Sequence, residues 1–145
     1  MDIRKASLQD TEALAVLACR LWPHHTVEEM EAEMRETLAQ PDAAFFLAVD
    51  GESAIGFAQC QLRHDYVEGT EHSPVGYLEG IYVCDGCRHQ GVARNLVTAC
   101  QNWAKEQGCR EFASDCELSN IQSLHFHRNV GFEEANRIIC FVKKL

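Results

Sequence analysis

Two carboxylates and one glycine-bearing stretch are the parts of this sequence best able to do chemistry. Glu79 stands inside the apolar run "GYLEGIYV", residues 76 to 83, where an ionised side chain is costly to bury unless a cation or a hydrogen-bond donor meets it. Asp115 closes the next apolar stretch, "REFASD", so neighbouring strands would bring the two acids to one cleft. Together they could attract an ammonium group and take up its proton, which an amine needs before it can act as a nucleophile. Singly, each also reads as an edge residue or a cap for the segment that follows.

Between them, "YVCDGCRHQGVAR" at residues 82 to 94 carries two competing signals. Arg88, Gly91 and Ala93 form R-x-x-G-x-A where a strand gives way to a helix. Unpaired N–H groups at a helix start, a glycine permitting close approach and the charges of Arg88 and Arg94 together suit a phosphate. The pattern is weak alone, and a plain helix-start glycine stays open. Cys84 and Cys87 form a C-x-x-C, but structural zinc takes four ligands and only His89 lies nearby. A redox pair would put its first cysteine at a helix N-terminus, whereas this helix is expected to begin after Arg88. No metal is expected.

The elements that must position these groups follow from periodicity. "DIRKA" reads as a first strand, and Ser7 with Asp10 caps a helix carrying Leu14, Leu17, Ala18 and Leu21 inward. Thr26 with Glu29 repeats that signal for a second helix, with Val27, Met30, Met34 and Leu38 on one stripe ending before Pro41. "AAFFLAV", Asp50-Gly51 and "AIGFAQCQLRHD" form a hairpin, and "GYLEGIYV" is a further strand with a bulge expected near Gly80. Residues 91 to 107 form a helix closed by Gly108. "REFASD" is expected as a strand, Ser119 with Gln122 as the cap of a helix running to about Val130, and "FEEANRIICFVKKL" as one or two closing strands.

Composition narrows the function classes. A chain of 145 residues that is 46% hydrophobic suits one domain, 1–145, of α+β class. A formal charge of -9 disfavours nucleic acid and anionic membranes and favours cationic ligands, although such a balance also simply maintains solubility. No signal peptide or membrane-spanning run is read, and the eight cysteines read as reduced thiols, with Cys60 and Cys100 at apolar positions; a cytoplasmic protein is expected.

"LEGIYV" followed by "RHQGVA", then a strand, Asn120 and "HRNVGF", resembles the acetyl-CoA-binding core of the GCN5-related N-acetyltransferases, most clearly over residues 76 to 132. "LWP", "RHDYV", "SPVGYLEGIYV" and "EFASD" extend the resemblance to the aminoglycoside 6'-N-acetyltransferases over nearly the whole length. The resemblance implies a mixed, mostly antiparallel twisted sheet with splayed central strands and helices on both faces. It implies that Ile81, Tyr82 and Val83 pair with the pantetheine arm of acetyl-CoA and stabilise an oxyanion. Arg88, His89, Gln90, Gly91, Val92, Ala93 and Arg94 would hold the pyrophosphate, and Asn120 would meet the cofactor near its thiol. Glu79 and Asp115 would contact amino groups of the aminoglycoside, with Glu79 the first candidate base. Trp22, His25 and Tyr66 would wall the substrate pocket.

Two positions depart from the family pattern. His127 stands where many members use tyrosine to protonate the departing thiolate, and it reads equally as a proton donor or a packed helix residue. Asn136 stands where the resemblance implies a glutamate, a difference expected to touch substrate choice rather than acetyl transfer. A homodimer is expected, as is common among such relatives. The alternatives are an acetyltransferase for a polyamine or protein amine, and a non-catalytic acyl-CoA-binding protein.

Overall fold

The computed structural model, which describes all 145 residues, has strands at Asp2–Lys5 (β1), Ala43–Asp50 (β2), Ser53–Arg63 (β3), Val75–Val83 (β4) and Phe112–Ala113 (β5). Its helices are Thr11–Leu21 (α1), Val27–Leu38 (α2), Val92–Glu106 (α3) and Ile121–Asn129 (α4). The strands lie side by side in chain order, antiparallel throughout except for the parallel pair β4–β5.

Alternation along β2 and β3 feeds two cores. Phe45, Leu47 and Phe57 face α1 and α2, where they meet Leu14, Leu17, Met30 and Met34. Ala44, Ala48, Ala58 and Cys60 face the other way, onto Leu96, Val97, Cys100 and Trp103 of α3. Small residues on that side let the long helix lie close, and the large ones opposite fill the wider gap under α1 and α2. Contact with Cys60 and burial push the Cys100 thiol well up, so it stays neutral and packs as an apolar group.

The caps follow the sequence with two changes. The Thr26 hydroxyl accepts from the Glu29 N–H at 3.1 Å as expected. The Asp10 carboxylate reaches back to the Ser7 N–H at 2.8 Å, but a 3₁₀ turn at Leu8–Asp10 intervenes and α1 starts at Thr11. At α4 the cap is Asn120 rather than Ser119, its side-chain oxygen accepting from the Ser123 N–H at 3.0 Å. Gly108, at φ 89°, ends the α3 segment as its type predicts.

The end of the chain departs further. The strand expected over residues 110 to 115 reduces to Phe112–Ala113, because β4 and β5 pair only at Gly76–Phe112 and Tyr77–Ala113 and then part. The closing strands expected in "FEEANRIICFVKKL" do not form, since two-residue β5 offers them almost no edge to pair with. Phe141 and Val142 are 90% and 95% exposed in that segment.

Candidate active site

The bulge expected near Gly80 sets the position of Glu79. Across the β3–β4 pair, Gln59 faces Gly80 and Cys60 faces Leu78, so Glu79 is the extra residue. The bulge shifts the alternation by one: Leu78, Ile81 and Val83 pack toward α3, while Tyr82 packs toward α1 and α2. Gly80 is required there by proximity, because a Cβ on it would stand 2.7 Å from the ring of Trp22. The ring therefore lies directly on the strand, with its edge toward Phe57 at 6.2 Å between centroids.

Trp22, His25, Met30, Glu33, Gln59, Gln61 and Glu79 line a groove of about 320 Å³ on this face. A hollow of about 370 Å³ lined by residues 5 to 8 and 38 to 44 lies apart from these groups. Glu79, only 17% exposed at its side chain, accepts from Arg63 at both oxygens: Nε to Oε1 at 2.9 Å, Nη2 to Oε1 at 2.7 Å and Nη2 to Oε2 at 2.8 Å. The largely covered carboxylate thus has the cationic partner that its sequence context demanded. The Arg63 guanidinium lies 3.4 Å over the centre of the Tyr77 ring, and the Tyr77 hydroxyl donates to Asp115 Oδ2. Burial, then the bond to Asp115, push the Tyr77 phenol above its ordinary range, so it remains a donor at neutral pH. Glu79 and Asp115 therefore belong to one connected set of side chains, joined through Arg63 and Tyr77.

The remaining candidate substrate residues form a second group. Glu68 Oε2 accepts from the Tyr66 hydroxyl at 3.3 Å and Glu68 Oε1 accepts from Asn136 Nδ2 at 2.8 Å. Tyr66 and Asn136 thus share Glu68 and stand apart from the groove lining, as does Asp115.

β4 continues past its last pairing with β5 at Tyr77–Ala113, which leaves residues 78 to 83, Ile81, Tyr82 and Val83 among them, without a strand partner on that edge. Beyond Val83 the chain makes a 3₁₀ turn at Asp85–Cys87, with the Cys87 N–H bonded to the Cys84 carbonyl at 2.9 Å. Both cysteines are free thiols, and no three His, Cys, Asp or Glu side chains assemble with metal-holding spacing. His89 and Gly91 adopt left-handed φ values of 63° and 80°, swinging the chain into α3. Gly91 caps that helix without a side-chain acceptor, so the first-turn N–H groups after it point outward. The two arginines are already engaged. Arg88 Nε donates to the Val83 carbonyl at 3.0 Å, and Arg94 Nη2 donates to the Asn129 carbonyl at 2.6 Å, tying α3 to the end of α4.

His127 sits between two oxygens. Its Nδ1 is 2.7 Å from the Ser123 carbonyl, which can only accept, so Nδ1 carries a proton. Its Nε2 is 2.7 Å from Ser114 Oγ, which donates to a neutral ring and accepts from a protonated one, then turning toward the Leu78 carbonyl at 3.4 Å. His127 is thus held in place and linked by Ser114 to the point where β4 and β5 part.

Sequence reading missed Arg63, Glu33, Glu68 and Ser114. For Arg63 a signal was present: Gln59, Gln61 and Arg63 alternate with Cys60 and Leu62 along β3, a polar stripe on one face of a largely buried strand. Glu33 joins the groove and Glu68 meets Asn136 through segments distant in the chain, which no local pattern encodes.

An antiparallel sheet whose parallel final pair separates after two residues, with a glycine entering α3, is the architecture of an N-acetyltransferase fold. Residues 11–132 match the acetyltransferase (GNAT) family, and the chain belongs to it. Among curated relatives, aminoglycoside N(6')-acetyltransferase type 1 of Serratia marcescens is 44% identical over 136 residues, covering 92% of each chain. Its namesake from Stenotrophomonas maltophilia is 45% identical over 141 residues, covering 96% of this chain and 90% of that protein. Among solved structures, AAC(6')-Iy in complex with the bisubstrate analogue CoA-S-monomethyl-acetylneamine superposes with a TM-score of 0.95 at 41% identity, covering 99% of this chain and 98% of the other. The aminoglycoside 6'-N-acetyltransferase AAC(6')-IG of Acinetobacter haemolyticus, without ligand, gives 0.94 at 39% identity, covering 100% and 99%.

Proposed function

We propose that this acetyltransferase moves the acetyl group of acetyl-CoA to the 6'-amino group of aminoglycoside antibiotics, and so confers resistance to them. The observation that carries the reading is the acidic groove against the bulge of β4, lined by Glu33 and Glu79 together with Trp22 and His25, in a chain close over nearly its whole length to enzymes of that name. Residues 1–145 act as one catalytic domain.

Acetyl-CoA enters at the opening between β4 and β5. Backbone groups of Ile81 to Val83 pair with its pantetheine arm, and N–H groups at the start of α3 take the pyrophosphate, a site favoured by their orientation and the helix dipole. Asn120 and His127 lie toward the thiol end. The aminoglycoside lies on the other face with its ammonium groups at Glu79 and Asp115. Loss of one proton, to a carboxylate directly or through water, frees the nitrogen lone pair. The nitrogen attacks the thioester carbon, the oxyanion is met by an N–H of the Ile81–Val83 strand, and as the C–S bond breaks to release a thiolate the nitrogen gives up its second proton, to a carboxylate or to water, and becomes the amide. Protonation of the thiolate is assigned to the His127–Ser114 pair. Alignment of amine and thioester supplies most of the acceleration, on the order of 7 to 11 kcal/mol when geometry is good.

We also propose a homodimer working in the cytoplasm. Support for the dimer comes from residues 133–145, which carry Ile138, Ile139, Phe141 and Val142 exposed and without strand partners, the composition of a segment that packs on a second copy. No helix is long and apolar enough to cross a membrane.

The test is to mix the protein with acetyl-CoA, offer kanamycin-type aminoglycosides, polyamines and lysine peptides separately, and follow thiol release. Aminoglycosides should give the highest kcat/KM. A higher value for a polyamine or peptide would reassign the substrate, and no release above background would overturn an enzymatic role.

A further inference from the structure

Arg63 is half-exposed, so burial alone does not hold its side chain in place. Its geometry nonetheless restrains it from two sides. The guanidinium makes three hydrogen bonds to Glu79 and lies flat on Tyr77. Tyr77 in turn fixes one oxygen of Asp115 through its hydroxyl. An ionised carboxylate offers about four lone-pair directions. The Glu79 directions are mostly consumed by Arg63, and the one that remains is on Oε2. Asp115 keeps Oδ1 free. The set therefore leaves one acceptor direction on Glu79, at Oε2, and about three on Asp115, two of them on Oδ1, with the two acids linked by a guanidinium stacked on a ring that neither acid contributes.

We propose that Arg63 is a positioning residue for acetyl transfer: it fixes the free acceptors of Glu79 and Asp115 relative to one another, so that a rigid, multiply charged amine is met at two points and its reactive nitrogen is aligned. This rests on the reading that those two acids receive the substrate. Lysine cannot substitute, because an ammonium supplies charge without the planar fork or the stacking surface.

The test is a double-mutant cycle of Arg63→Gln and Glu79→Gln, with kcat and KM measured for a kanamycin-type substrate and acetyl-CoA binding titrated separately. Arg63→Gln is expected to lower kcat at least tenfold, with acetyl-CoA affinity and melting temperature unchanged. Arg63→Lys should stay within about threefold of the Gln variant, and Arg63→Gln/Glu79→Gln should be no slower than Glu79→Gln within twofold. A wild-type or faster rate for Arg63→Gln, or losses that multiply in the double variant while Glu79→Gln alone is slow, overturns the proposal and leaves the substrate site standing. A wild-type rate for Glu79→Gln overturns the site itself, and the proposal with it. If Arg63→Gln does not fold, Arg63→Lys carries the same cycle.

Discussion

Gly80 offers a sharp test of how the groove is built. A methyl group at this position would lie 2.7 Å from two ring carbons of Trp22 and 3.2 Å from Leu21 Cδ2. Carbon atoms settle at about 3.5 to 4.0 Å, so the indole must retreat by roughly 1 Å. Retreat is hindered because Trp22 packs on Phe57, which is fully buried. Overpacking of this kind costs about 1 to 3 kcal/mol, against a gain of about 0.5 to 1 kcal/mol that alanine normally brings to a strand interior. The net loss should lower the melting temperature by several degrees, at roughly 3 to 5 °C per kcal/mol for a chain of this length. Gly80→Ala should also raise KM for aminoglycosides, because Trp22 moves into the space it lines. The assay is thermal melting of Gly80→Ala in wild-type and in Trp22→Ala backgrounds, with kinetics on the former. In the second background only the 3.2 Å approach of Leu21 Cδ2, the end of a flexible side chain, remains, and the alanine should be neutral or stabilising. Equal effects in both backgrounds would refute the argument that Trp22 is the reason for glycine.

Glu79→Gln should lower kcat/KM for aminoglycosides tenfold to a hundredfold while acetyl-CoA titrates as in the wild type, separating amine handling from cofactor binding. Arg4 holds the Asp10 carboxyl down to about 2, so its stabilisation is present above the ordinary value of 3.8 and is lost as pH falls through about 2. Asp10→Asn should therefore cost about 1 to 2 kcal/mol in urea melts at pH 7, with the gap to wild type closing toward pH 2. Cys84→Ser with Cys87→Ser should leave turnover within twofold and add no chelator sensitivity; loss of activity together with a bound metal would return the C-x-x-C to consideration. Removing residues 133–145 should halve the mass found by equilibrium sedimentation, and an unchanged mass would exclude that segment from the dimer contact.

Local sequence determined much of this protein. Thr26 with Glu29 marked a helix start, Gly108 a helix end, and Asp50-Gly51 a hairpin, because each depends on backbone conformations set within a few residues. The bulge at Glu79–Gly80 was legible for a related reason: a charge and a glycine interrupt a run of apolar strand residues. Family-level resemblance was likewise written in "LEGIYV" and "RHQGVA", which lie on one continuous strand, loop and helix.

Tertiary structure decided the rest, since contacts between distant segments leave no periodic trace. Arg63 reaches Glu79 across the β3–β4 pair, Tyr77 reaches Asp115 across the β4–β5 junction, and Glu68, beside Tyr66 in the chain, is met by Asn136 from 68 residues on. The closing residues show the converse. Their apolar, β-branched composition predicted strands, but a strand exists only where another edge accepts its hydrogen bonds, and β5 stops after two residues. Propensity belongs to the residue, whereas pairing belongs to the fold.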